Sequence, residues 1–60
     1  MNNLIKFVFK NKIYYLQSYT NSIVIYDAYI NLIAMHPINK SNIEDPLIQL
    51  ALEINNCLVR

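Results

Sequence analysis

Glycine and tryptophan are absent from this 60-residue chain, which has one cysteine, one histidine and two prolines. No glycine-rich phosphate-binding loop can be built, and tight turns must do without the Asn-Gly pair that usually makes them. The lone Cys57 rules out an intrachain disulfide as the device that stabilises so short a chain. Charged residues make up only 15% of the sequence and the net charge is +1, so no strong field steers the chain toward nucleic acid or anionic lipid. No catalytic or metal-binding motif is present, and no cofactor, metal or small-molecule ligand is indicated.

The few chemically versatile residues read as structural. His36 has no second ligand or nucleophile at a readable spacing and is expected to be a half-exposed loop histidine. Cys57 falls in an apolar stripe and is expected in the core. Asp27 is the one acid in apolar surroundings, which makes it a candidate for a perturbed pKa. Its simpler role is a helix cap. Catalysis is not expected.

What the chain does have is apolar surface, at 55% of residues. Ordinary soluble chains carry roughly 45–50%, although a domain of this size buries only ~60% of what its unfolded chain exposes. The surplus centres on Ser22–Met35, a run with Asp27 as its only charge. That run is too short to span a bilayer, for which ~20 apolar residues are needed. Lys6 and Lys10 bracket a Phe7-Val8-Phe9 patch too brief for a secretory signal. With no such signal and an unpaired thiol, a cytoplasmic location is expected and a membrane one is not. Asn, Ile, Lys, Tyr and Phe fill half of all positions, all with AT-rich codons, as in low-GC bacteria and their phages.

Leu4–Lys10 and Lys12–Tyr19 are rich in aromatic and β-branched residues, which predicts a hairpin around Asn11. An Asn11-Lys12 loop would set Phe9 opposite Tyr14 and Phe7 opposite Leu16. Ile5, Phe7, Phe9, Tyr14 and Leu16 then share the core side, leaving a mixed face with Leu4, Lys6, Val8, Lys10, Ile13, Tyr15, Gln17 and Tyr19. Thr20-Asn21 offers a second turn. Ser22–Tyr26 favours a strand, followed by a short helix from Ala28 to His36 capped by Asp27. One unbroken helix from about Thr20 to Met35 is the competing reading, since too few polar residues mark a face. Pro37 ends whichever helix precedes it.

Asp45-Pro46 then starts a C-terminal helix, unless Ser41 and Glu44 open it a turn earlier as a capping box. Gln49, Glu53, Asn56 and Arg60 form its polar arc, with Arg60 suited to the negative end of its dipole. Leu47, Leu50, Ala51, Ile54, Cys57 and Leu58 form one apolar stripe. Ile48, Leu52 and Val59 form a further row, broken only by Asn55. One stripe should dock on the sheet, and the Ile48, Leu52, Asn55 and Val59 row is assigned to a second copy.

The expected fold is α+β: a single domain, residues 1–60, with a small antiparallel sheet of two or three strands packed by one or two helices and completed by dimerisation. The expected function is that of a small non-enzymatic intracellular protein, a homodimer that binds and modulates another protein. An accessory factor of a phage or mobile element, inhibiting a host protein, fits the AT-rich background. The partner surface is assigned to Lys10, Asn11 and Lys12 at the hairpin tip with Tyr15 and Tyr19. Those same basic and aromatic residues support an alternative, a nucleic-acid-binding protein.

Overall fold

Four strands and one helix make up the fold in the computed structural model, which describes residues 3–40 and 42–58. Strands β1 (Ile5–Phe9), β2 (Lys12–Ser18), β3 (Ser22–Asp27) and β4 (Leu32–Pro37) form one antiparallel sheet in the order β1-β2-β3-β4, and helix α1 (Pro46–Leu58) follows. The architecture is α+β, with one strand more and one helix fewer than the fullest form expected from sequence.

The first hairpin forms where expected, with its loop one residue earlier. Phe9 pairs with Lys12, Phe7 with Tyr14 and Ile5 with Leu16. Lys10 and Asn11 are the loop residues, both with positive φ (51° and 65°). Two such residues in succession match the right-handed strand twist, as in the mirror-image turns favoured by short hairpins. Each strand's face assignment survives the shift, because side chains alternate with period two and the pairing moved by two residues. Thr20-Asn21 makes the second tight turn, in which the Tyr19 amide donates to the Ser22 carbonyl at 2.8 Å.

The helix expected from Ala28 to His36 is instead a loop and strand β4, which pairs with β3 through Ile23–His36, Val24–Met35 and Ile25–Ala34. Asp27 does cap, but it caps a turn. Its Oδ1 accepts the Tyr29 and Asn31 amides at 2.8 and 2.9 Å, and Oδ2 accepts Asn31 Nδ2 at 3.1 Å. The Ile30 amide bonds back to the Asp27 carbonyl, and the Asp27 amide to the Asn31 carbonyl. Ile30 itself has φ 65°. This is a three-residue hairpin loop, a tight turn followed by one left-handed residue. A segment apolar on all sides satisfies either conformation locally; pairing with the free edge of β3 is what selects the strand.

The core lies between one face of the sheet and α1. Phe7, Leu16, Ile23 and Ile25 from the strands meet Ala51 and Leu52 from the helix. The Phe7 and Tyr14 rings stack at 5.7 Å. Asp45 caps α1 as expected, its Oδ1 accepting the Leu47 amide at 2.9 Å. The alternative capping box through Ser41, and the roles given to Val59 and Arg60, lie outside the described residues. Gln49, Glu53 and Asn56 are exposed, as the polar arc requires.

The helix presses both apolar rows toward the sheet. From the stripe expected to dock, Ala51 is buried and Leu47, Leu50 and Ile54 pack against the core, whereas Cys57 and Leu58 are exposed. From the other row, Leu52 and Asn55 are buried at 8% and 2% exposure and Ile48 packs against the core. The row set aside for a second copy is therefore, in its described members, part of the docking face of the chain's own helix. At 100° per residue, Ile48, Ala51, Leu52 and Asn55 lie on one side, and the small Ala51 lets the backbone approach the sheet. Asn55 is left with a buried Oδ1 that has no hydrogen-bond partner among the described residues.

Candidate binding surface

The other face of the sheet has no helix over it among the described residues. Alternation from the core residues places Lys6, Val8, Ile13, Tyr15, Gln17, Val24, Tyr26 and Met35 on this outer face. A register irregularity between β3 and β4 pairs Tyr26 with Leu32 and leaves Ile33 as the extra residue. The bulge turns Leu32 outward as well. Lys6, Tyr15, Tyr26 and Leu32 then form one row across all four strands, and Gln17, Val24 and Met35 form the next.

This face has an apolar layer of its own. Val24 is only 3% exposed although the helix is on the opposite side. Tyr19, Tyr26, Leu32 and Met35 surround it, lining a shallow hollow of about 520 Å³. Gln17 Oε1 accepts both the Tyr19 and Tyr26 hydroxyls, at 2.9 and 2.8 Å, which holds both rings over the sheet. Toward the rims the residues are open: Val8 and Leu32 are each 58% exposed and Met35 64%. Among the described residues of this face, Lys6 supplies the only formal charge. Antiparallel sheets with one wet face normally alternate apolar and polar residues, whereas β3 reads Ser-Ile-Val-Ile-Tyr-Asp, apolar on both sides, as strands do when both faces are covered.

The residues assigned to a partner do not form one patch. Lys10, Asn11 and Lys12 lie together at the turn, but the Lys10 ammonium packs 5.3 Å from the centre of the Phe9 ring. Tyr15 sits on the outer face, and Tyr19 lies just past the far end of β2, roughly 24 Å from Lys12 along the strand at ~3.4 Å per residue. Val24, Tyr26, Leu32 and Met35 were not assigned to any surface from sequence. For the last two, the expected helix concealed the signal.

Chemistry elsewhere is sparse. Hydrogen bonds from the Asn31 backbone first, then from the Asn31 side chain and the Tyr29 backbone, lower the Asp27 pKa below the ordinary carboxylate range against a smaller opposing effect of desolvation. His36 is half-buried in β4, its Nδ1 2.9 Å from the Pro37 carbonyl. Among the described residues, no three of His, Cys, Asp and Glu come together as a metal site would need. No helix there is long and apolar enough to cross a membrane. Comparison of the chain with family models, with curated proteins and with solved structures finds no match.

Proposed function

We propose that this chain is a small non-enzymatic binding protein that works as a homodimer through the outer face of its sheet and modulates another protein. The observation that carries the reading is that face: a four-stranded apolar surface with one charge, opposite the face that already holds the core. Fully burying a Val, Leu or Met side chain is worth about 1.5–3 kcal/mol. Small-domain stability lies near the bottom of the ~5–15 kcal/mol range, so covering the half-exposed outer residues adds a large fraction. A host protein inhibited by a phage or mobile-element factor is the setting that the AT-rich composition fits.

Sedimentation of the purified protein over micromolar to hundred-micromolar concentrations tests the self-association, with a mass rising to two chains expected. Met35→Glu is the matched control, because Met35 is exposed and outside the core. A folded variant with the mass of one chain supports the outer face; a dimer as tight as the wild type rejects it. Capture of one protein from lysate, unaffected by nuclease, supports the modulator role.

A second reading draws on the same face. Tyr15 and Tyr26 lie side by side in the row that begins with Lys6, as bases stacking on a sheet would require. Against it, Lys10 and Lys12 are at the turn and do not extend this row, and the sequence pI is about 7.9. Single-strand binding that weakens steeply with salt and is lost in Tyr15→Ala would favour this reading.

A further inference from the structure

We infer that the occupant of the outer sheet face is a second copy of this chain, stacked with its strands running the same way, so that β1 of each copy covers β4 of the other. The inference rests on the homodimer reading and adds the arrangement. Area comes first. Four strands ~4.8 Å apart and five to seven residues long at ~3.4 Å per residue make a patch of roughly 400 Å² in projection. Side-chain relief raises the accessible area, so two copies facing each other bury about 1,000 Å² in total, the lower bound for a specific interface. Pairing along the β4 edge alone would cover one strand and leave Tyr15, Tyr26 and Val8 as they are.

Charge then selects the symmetry. An interface between identical copies is self-complementary under a two-fold axis. An axis lying across the strands stacks β1 on β1 and brings Lys6 near the partner's Lys6, two like charges at a dry boundary. An axis along the strands preserves height, and places Lys6 over the partner's Leu32 and Tyr15 over the partner's Tyr26. From an edge strand the Lys6 ammonium reaches solvent while its stem covers apolar surface. This axis also sets both Lys10–Lys12 turns at one end, each beside the partner's Asp27–Asn31 loop, which carries the only acid of the sheet. The arrangement is an eight-stranded sandwich with the helices outside, its sheets ~10 Å apart and close to aligned.

Cross-linking between single-cysteine variants decides it. Cys57 is an exposed thiol, so all variants carry Cys57→Ser. Lys6→Cys and Leu32→Cys replace exposed residues, leaving the core intact. A short bis-maleimide that spans the ~10 Å between packed sheets is added to each variant alone and to their equimolar mixture. Several-fold more covalent dimer from the mixture, made of one chain of each kind by mass spectrometry, is the expected result. Efficient cross-linking of each variant by itself shows the crosswise axis, and of Leu32→Cys but not Lys6→Cys shows edge pairing through β4; either overturns the arrangement and leaves the homodimer standing. A sedimentation mass of one chain at hundreds of micromolar overturns both.

Discussion

At the scale of single residues, the absence of glycine leaves a mark on the backbone. Lys10, Asn11 and Ile30 occupy the left-handed region, at φ 51°, 65° and 65°. Asparagine tolerates this, but a β-branched isoleucine is a genuine outlier there, at a cost of about 1–2 kcal/mol. Ile30→Gly is therefore expected to stabilise the fold by about 1 kcal/mol, since relieved strain outweighs added chain entropy. For a domain this small, thermal unfolding monitored by circular dichroism should shift upward by roughly 4–8 °C. Asn55 stores a second cost, a buried carbonyl oxygen without a partner among the described residues. Asn55→Leu, of similar size, should add about 1–2 kcal/mol in urea denaturation, because the desolvation penalty is removed with the group. Asp27 contributes in the opposite sense. Its carboxyl is held below the ordinary range by loop hydrogen bonds, so its stabilisation is complete above about pH 4 and is lost as pH falls through the lowered value. Stability measured from pH 5 to 2 should fall less steeply in Asp27→Asn than in the wild type.

Among the elements, α1 shows how packing overrides a pattern. Both apolar rows of this helix satisfy the periodicity of a docking face. The sheet takes residues from both, Ala51 from one row with Leu52 and Asn55 from the other, and leaves Leu58 and Cys57 exposed. Leu52→Glu is accordingly expected to unfold the chain rather than release a folded monomer, with loss of the cooperative transition in circular dichroism, because it places a charge in the core. The hairpin and the helix start were legible beforehand, since aromatic and β-branched runs around Asn11 and the Asp45-Pro46 pair depend on local chemistry. Strand β4 was not. Asp27 accepting amides two and four residues ahead serves a turn as well as a helix cap, and nothing within Ala28–His36 distinguishes the two.

For the molecule as a whole, the question is where the surplus apolar surface goes. The helix covers one face of the sheet and uses residues first assigned to self-association. The uncovered area moves to the other face and to β4, where Leu32, Ile33 and Met35 are all exposed. Met35→Glu should keep the circular dichroism spectrum and cooperative melting of the wild type while lowering the sedimentation mass to that of one chain. Its contrast with Leu52→Glu separates a residue that holds the fold from one that would hold an assembly.

Composition and local pattern alone determined the class of the fold, the first hairpin, the second turn and the capped helix, because each rests on neighbours in the chain. They also showed that apolar area exceeds what so short a chain comfortably covers. The tertiary structure decided that members of both helix rows face inward, that the segment after Asp27 is a fourth strand, and that Val24, Tyr26, Leu32 and Met35 share an outer surface. Those outcomes depend on which edge is free and which face is already occupied, and such competition between distant segments leaves no trace in the order of residues.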